Sequence, residues 1–381
     1  MKIKKITSFF VLISVTLLCS CSLPSPDGMP EDKINLISDG TFIEPEFVKH
    51  KVSRLLYERL SQNEQLFYRH FYNSIFKHPE YIAIPSGLDE EAIKRVFVSL
   101  KYDNPHILCL KNSYRVMKFG NSVFLCPDYS FSADKCAEQT KKLIERATEL
   151  CKKTELMTDD FSKELFLHDE LVKNCEYGAT DIGSSAYDAL VEGKSACTGY
   201  AMAMKLLLDK VGIASSAVSG NAAESGSETL PHMWLCVSID GNRYHLDPTW
   251  DDPVGAYSPV PVHAWFNVTE EELAKTHHDY TLPENVTCKS KEADFYIKNG
   301  LYCDGNNDAE VIERALKTAK ANGTGFAEIK YNDADEMRLS SKELFEDGGI
   351  HQYLRAAGYE EGTRAAYTEV PTMSVLYIYI G

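Results

Sequence analysis

The chain of 381 residues is short of positive charge, with 40 Lys and Arg against 56 Asp and Glu and a formal net charge of −16. An acidic surface repels a phosphate backbone, so nucleic acid is not expected as a partner. Beyond the leader there is no run of the ~18 apolar residues that a spanning helix needs. The eleven cysteines include no Cys-x-x-Cys pair, which removes the common zinc-ribbon and thioredoxin-like patterns. No glycine-rich phosphate loop, calcium loop or internal repeat is present, and no metal or cofactor is expected. What is there is ordinary: 44% hydrophobic and 25% charged residues, a globular composition. The length suits two or three domains of ~100–200 residues each.

The first residues read as an address. In MKIKKITSFFVLISVTLLCSC, Lys2, Lys4 and Lys5 precede an apolar stretch from Ile6 to Leu18, too short to span as a mature helix. Leu18-Cys19-Ser20-Cys21 then resembles a bacterial lipobox, in which Cys21 receives the lipid. The expectation is a signal peptide at 1–20 and an extracytoplasmic protein held to the bacterial membrane by lipid. Residues 21–45 carry Pro24, Pro26, Pro30 and Pro45 and read as a tether. Nine cysteines follow the leader pair, and an odd number leaves at least one thiol outside any disulfide.

Residues 46–150 predict a region of helices and a β-meander. Ser61-Gln62-Asn63-Glu64 is a capping box ahead of Leu66, Phe67, His70, Phe71 and Ile75. Ile93, Val96, Phe97 and Leu100 repeat at helical spacing. Between 106 and 129, three short β runs are separated by Asn112-Ser113 and Gly120-Asn121. Helices are expected at about 132–153 and 159–174. The tail, 286–381, predicts a small α+β domain with Asn299-Gly300 as a hairpin turn, a helix at 308–322, a strand at 325–331, a helix near 341–357 and a strand at 373–380.

The chemistry concentrates in the stretch between, 151–285. Cys197 opens an apolar segment, GYAMAMKLLL, in which Cys197, Tyr200, Ala201, Met204, Leu208 and Val211 share a helical face and Gly212 is the stop. A helix start favours a thiolate through its unpaired N–H groups and dipole, and presents N–H groups to a developing oxyanion. A thiol nucleophile needs an imidazole, and the imidazole needs a group that fixes its tautomer. His232 begins the strand HMWLCVSI, 35 residues after Cys197, and Asp247 ends the return strand 15 residues later. With Gly241-Asn242 as a strict two-residue turn, Asp247 falls opposite Cys236 and Asp251 opposite His232. Asp247 then lies four residues, ~13 Å, from register with His232. Both Asp247 and Asp251 remain open as the third member on this reading. Tyr177 is a candidate oxyanion donor, and Trp234, Trp250 and Asp251 are candidates for the substrate cleft, with Trp265 either there or in the core. His232, Cys236 and His245 do not suit one zinc ion, because strand residues four apart are ~13 Å apart. His277-His278 reads as part of a solvated polar loop.

The stretch GKSACTGYAMAM…HMWLCVSIDGNRYHLDPTWDDP, with FLHDELVKNCEYG upstream, resembles the transglutaminase-like core of the papain-like cysteine superfamily. The likeness covers about 165–270. It implies an α+β fold in which a central helix bearing the Cys packs on an antiparallel sheet, with Cys197 as nucleophile, His232 as acid and base, and Asp247 as orienter. That choice goes against Asp251. It implies acyl chemistry at amide bonds of a protein, peptide or cell-wall peptide: hydrolysis by a surface-tethered protease or amidase, amine transfer as in cross-linking, or a non-catalytic binding module on the same fold.

Lipidation at Cys21 has a direct test. Cys21→Ser is expected to shift the protein from the membrane fraction to the soluble one, or to leave the leader uncut; a cleaved, membrane-bound Cys21→Ser protein refutes the assignment.

Overall fold

The computed structural model describes residues 14–17, 41–178, 184–223, 227–253, 260–282 and 286–381. The lipobox Cys21 and nearly all of the tether lie outside them. No helix among the described residues is long and apolar enough to cross a membrane. The fold is α+β. It divides into two compact units, one of residues up to Leu167 with Cys175–Ala217, the other of His168–Asn174 with Val218–Gly381.

The first unit begins with an edge strand, β1 (Ser14–Leu17), parallel to part of β3 (Leu110–Phe119). The sheet continues through β4 (Ser122–Tyr129) to β2 (Ile82–Ile84). Two helices cover it, α1 (Gln62–Ile75) and α2 (Glu90–Asp103). Both start where a side chain satisfies orphan N–H groups: the full Ser61/Glu64 capping box on α1, and Asp89 accepting from Ala92 N–H on α2. Phe67, Phe71, Val96 and Phe97 then meet Ile82, Tyr114 and Leu125 in one core. The expected three-stranded meander is two strands. Asn112-Ser113 does not turn the chain; the register shifts between Leu110 and Tyr114, and the strand absorbs the polar pair as an irregularity.

Helix α3 (Ala133–Lys152) is amphipathic, with Cys136, Thr140, Leu143, Ala147 and Leu150 buried. A disulfide joins Cys136 to Cys109. Helix α4 (Asp160–Asn174) starts on an Asp159 cap, and its residues from His168 onward belong to the second unit. Two short parallel strands, β5 (Glu176–Tyr177) and β6 (Lys194–Ser195), lead to α5 (Cys197–Val211). Gly199 through Asp209 of α5 is continuously buried, and Gly212, at φ 84°, ends the helix. The polar intruders on α5 pair with each other: buried Lys205 donates to Asp209 at 2.9 Å and to Ser53 O at 2.8 Å.

In the second unit, β7 (Ser215–Ala222, from Val218 onward), β8 (Leu230–Ile239), β9 (Asn242–Leu246) and β10 (His277–His278) form a sheet in the order β10-β7-β8-β9. The turn between β8 and β9 is Asp240-Gly241, with φ of 49° and 82°, and Ile239 pairs with Asn242. Positive φ at both central residues is the hairpin geometry that matches strand twist. Beyond the short α6 (Glu270–Leu273), α7 (Phe295–Asn299) is a single helical turn capped by Asp294 and closed by Gly300 at φ 67°. The expected hairpin at Asn299-Gly300 is thus a helix end, because the glycine serves as a C-cap.

The chain then gives β11 (Tyr302–Cys303), α8 (Asp308–Asn322), β12 (Phe326–Tyr331), α9 (Ala334–Ser341), α10 (Ile350–Ala356), β13 (Ala365–Val370) and β14 (Val375–Ile380). Their sheet order is β11-β12-β14-β13. Strand β13 was not anticipated, and the single helix expected near 341–357 is broken at Gly348-Gly349.

The Cys109–Cys136 bond spans 27 residues of sequence. Cys136→Ser is expected to lower the unfolding free energy by about 3–4 kcal/mol through the larger entropy of the opened chain, read as an earlier urea midpoint; an unchanged midpoint contradicts this.

Candidate active site

Cys197 is the first residue of α5, after Ala196 in extended conformation. Alanine offers no capping oxygen, and the hydroxyl comes from elsewhere: Ser184 Oγ accepts from Gly199 N at 2.7 Å and from Ala196 N at 3.2 Å. Gly199 is required sterically, since a Cβ there would come within 1.9 Å of Ser195 Oγ and 2.7 Å of Ser185 O. The helix start that bears the thiol is therefore held by a serine fifteen residues before Gly199. The spacing gave no sign of it. Tyr177 is half-buried in the same unit, paired in register with Ser195, its ring 6.3 Å from that of Tyr200. Tyr200 OH donates to Cys175 O at 2.8 Å, tying α5 to the chain just before β5. Cys197 keeps partial exposure, whereas Cys126, Cys175, Cys236, Cys288 and Cys303 are buried. Burial pushes the Cys126 thiol and that of half-buried Cys151 up to about 11.

In the second unit, His232 and Asp247 meet. Asp247 Oδ2 lies 2.7 Å from His232 Nε2 and 3.0 Å from His277 Nε2. Its Oδ1 accepts from Thr249 N at 3.0 Å. Burial by itself would raise the Asp247 pKa, but the charge and hydrogen bonds of His232 and His277 hold it well below the usual carboxylate range. Asp247 is ionised and accepts from both rings. Burial moves His277 the other way, below the ordinary imidazole value, against the pull of Asp247. His277 is neutral and donates its Nε2–H, with Nδ1 2.8 Å from the Thr276 hydroxyl.

The hairpin turn explains how Asp247 reaches His232. With Ile239 opposite Asn242, Cys236 faces His245 and Leu235 faces Leu246. Extending that register sets His232 opposite Thr249, so Asp247 is two residues away on the same face rather than four. Diagonal neighbours of this kind are ~7–8 Å apart at the backbone, within side-chain reach.

His277 is the site residue that sequence reasoning missed. It is buried on β10, where it pairs with Ala222, while His278 beside it is exposed. The expected solvated loop is a two-residue strand whose alternation sends one histidine inward. Adjacent histidines carry no pattern that distinguishes the two cases.

Of the cleft candidates, Trp250 retains exposed surface, 4.7 Å from His277 and 6.0 Å from His232 between ring centres. Trp234 and Asp251 are wholly buried and present nothing to a substrate. Trp234 lies beneath His232 with rings 6.0 Å apart and 19° from parallel, and donates to His245 Nδ1 at 3.1 Å. Burial drives His245 down to about 3, which keeps the accepting nitrogen unprotonated. Gly220 makes room for that indole: a Cβ would stand 2.9 Å from Trp234 Cη2 and 2.7 Å from His278 O.

Asp251 belongs to a second buried network. It is 3.3 Å from His168 Nε2 and accepts from Trp265 N at 2.9 Å, and burial raises it to about 6. His168 Nδ1 is 3.2 Å from Asp169 Oδ1, which also lies 2.9 Å from His263 Nε2. The other nitrogen of His263 is 2.5 Å from Glu328 Oε1 on β12, and Phe295 stacks on the ring at 3.8 Å. Burial opposes a charge on His263, yet Glu328 and Asp169 on either side raise it to about 10. Two groups among the described residues, His232/Asp247/His277 and His168/Asp169/His263, each bring three possible metal-ligating atoms within 4.8 Å. In both, the carboxylate oxygen stands at hydrogen-bond distance from each imidazole nitrogen, and proton sharing accounts for the arrangement.

Residues 148–248 match the family model of the transglutaminase-like superfamily core. The chain therefore carries a transglutaminase-like domain, and the matched residues include Cys197, His232 and Asp247. Among solved structures it is similar to a proposed cysteine protease from Cytophaga hutchinsonii, with 23% identity over 28% of this chain and 37% of that one and a TM-score of 0.25. It is also similar to a TGase, with 13% identity, 51% and 60% coverage and a TM-score of 0.26. A proposed protease from Parabacteroides distasonis gives 14%, 34%, 29% and 0.21. The chain spans less than two thirds of the length of each of these three chains. No curated protein matches the chain.

The His263 network makes a pH prediction. Its folded-state pKa, about 10, exceeds the ordinary 6.5, so folding favours the protonated ring. That contribution is complete below about pH 6.5 and is lost as pH rises toward 10. His263→Gln is expected to cost about 3–5 kcal/mol near pH 6, because it leaves buried Glu328 and half-buried Asp169 without their cation. In urea unfolding the gap between the two proteins should narrow from pH 6 to pH 10; a constant gap contradicts the assignment.

Proposed function

We propose that this chain is an extracytoplasmic, lipid-anchored cysteine hydrolase of amide bonds, with Cys197 as nucleophile, His232 as acid and base, and Asp247 as orienting carboxylate. The observation that carries the reading is the 2.7 Å contact of His232 Nε2 with ionised Asp247, in a domain matched to a transglutaminase-like core whose central helix opens on Cys197. Commitment of Nε2 to the carboxylate makes Nδ1 the nitrogen that exchanges a proton with the thiol.

In the proposed cycle, the Cys197 thiolate attacks the amide carbonyl and the C–S bond forms. Protonated His232 gives its proton to the leaving nitrogen as the C–N bond breaks, which leaves a thioester and a free amine. Water then attacks the thioester while His232 takes its proton; the C–S bond breaks, the acid departs, and the thiolate and protonated His232 are restored. N–H groups at the α5 start, with the Tyr177 hydroxyl as candidate donor, stabilise the oxyanion in both steps. His277 serves Asp247: a second, neutral donor fixes the carboxylate against rotation and leaves His232 one orientation.

Cys197→Ala and His232→Ala are each expected to abolish turnover, and the double variant to lose no more, since nucleophile and base act as a unit. Asp247→Asn should cost on the order of 10³–10⁴-fold in kcat by reversing the tautomer preference, and Asp251→Asn far less. Products from a peptide library offered with dansyl-cadaverine, read by mass spectrometry, decide the fate of the thioester. Cleaved or deamidated peptides are the expected result. Amine adducts in large excess replace hydrolysis by acyl transfer, and absence of both products with Cys197 intact favours a binding module.

A further inference from the structure

A cavity of about 430 Å³ opens in the first unit beside the helix that bears Cys197. Thr198 and Met202 of α5 line it, with Ser184 from the segment that caps α5. Lys101, Tyr102 and Phe131 contribute from the N-terminal layer. Thr198 directly follows Cys197, so the cavity reaches the helical turn that carries the proposed nucleophile.

We propose that this cavity is a substrate subsite for a carboxylate-bearing group of a peptide, with Lys101 as its counter-charge. The inference rests on the reading of Cys197 as nucleophile and adds a substrate class to it. Lys101 stands in the last turn of α2, and its ammonium donates to Asn112 Oδ1, a neutral acceptor. Among the described residues no carboxylate is paired with it. The cavity's other charged residues do not supply one. Lys111 adds positive charge, and the Asp188 carboxylate is occupied by Ser185, accepting from its N–H at 2.9 Å and its hydroxyl at 2.6 Å.

Burial lowers Lys101 to about 8, so at neutral pH the group is still charged while poorly solvated. A half-buried ammonium at a cavity wall, bonded only to a neutral amide, gains a charge-assisted bond when a carboxylate arrives. A neutral amide of the same shape cannot do so. The surrounding Tyr102, Phe131 and Met202 surfaces favour a short apolar stem behind the charge. Two sources fit this chemistry: an acidic side chain, or the terminal carboxylate of a peptide.

The test uses the full chain with Cys197→Ala, which blocks turnover and leaves binding to be measured by calorimetry. Three probes differ only in their carboxylate: acetyl-Leu-Ala-Glu-Ala-amide, its Gln counterpart, and that Gln peptide with a free C-terminus. The expected result is that one acidic peptide binds at least tenfold more tightly than the neutral one and so identifies the source. Lys101→Met, with its fold checked by circular dichroism, removes the preference, and Lys101→Arg keeps it. Equal binding of all three, no binding of any, or a preference that survives Lys101→Met overturns the subsite. Turnover by the chain with Cys197 intact is measured separately, so loss of the catalytic reading and loss of the subsite give different results.

Discussion

A carboxylate sealed from water is stable as an anion only when enough donors face it, and Asp247 is built around that constraint. Two imidazoles share one of its oxygens, at 2.7 and 3.0 Å, and a backbone N–H takes the other. Each donor comes from a different place in the chain. His232 opens a long strand, His277 sits on a short edge strand, and Thr249 follows the carboxylate itself. The strand order β10-β7-β8-β9 is what brings them within reach of one another. Trp234 and its hydrogen bond to His245, which burial keeps neutral, fill the space below, so the cluster rests on a buried aromatic floor.

A second polar system lies between the segment that follows β9 and the C-terminal sheet, within the same unit. His263 is held between Asp169 and Glu328, and buried Lys330, next but one to Glu328 along β12, binds Glu272 at 2.8 Å and Asp294 at 2.7 Å. Strand β12 is buried along its whole length yet carries two charges inward. Such pairs add little net stability compared with well-packed apolar groups, because desolvation consumes most of the Coulomb gain. What they impose is registry: the donors and acceptors match in one docking of β12 only.

Much of this was legible in the sequence, for local reasons. The Ser61 capping box, the apolar faces of α2 and α8, and the run from Cys197 to Gly212 are short-range patterns, and the corresponding elements form at those residues. The approach of Asp247 to His232 was half legible. Parity placed both on one face, but the offset depended on which pair of residues makes the turn. What stayed hidden depends on distant partners. His277 becomes a donor to Asp247 only because β10 pairs with β7, and Ser184 becomes a helix cap only because its loop folds back on α5. Asn299-Gly300 read as a hairpin turn because the single helical turn before it has no room for a periodic signal.

The turn at Asp240-Gly241 has a consequence for how this hairpin tolerates change over evolutionary time. Its two residues need positive φ, which Asp and Gly supply, yet other small polar pairs meet the same demand. Its length is far less negotiable. Adding or deleting one residue there would slide β9 against β8 and carry Asp247 to the opposite side of the sheet, away from both histidines. Substitution at the tip is therefore a mild perturbation, while insertion or deletion of a single codon dismantles a cluster several residues distant. In a lineage that keeps the His–Asp–His arrangement, the number of residues between His232 and Asp247 is a stricter inheritance than most of the residues themselves.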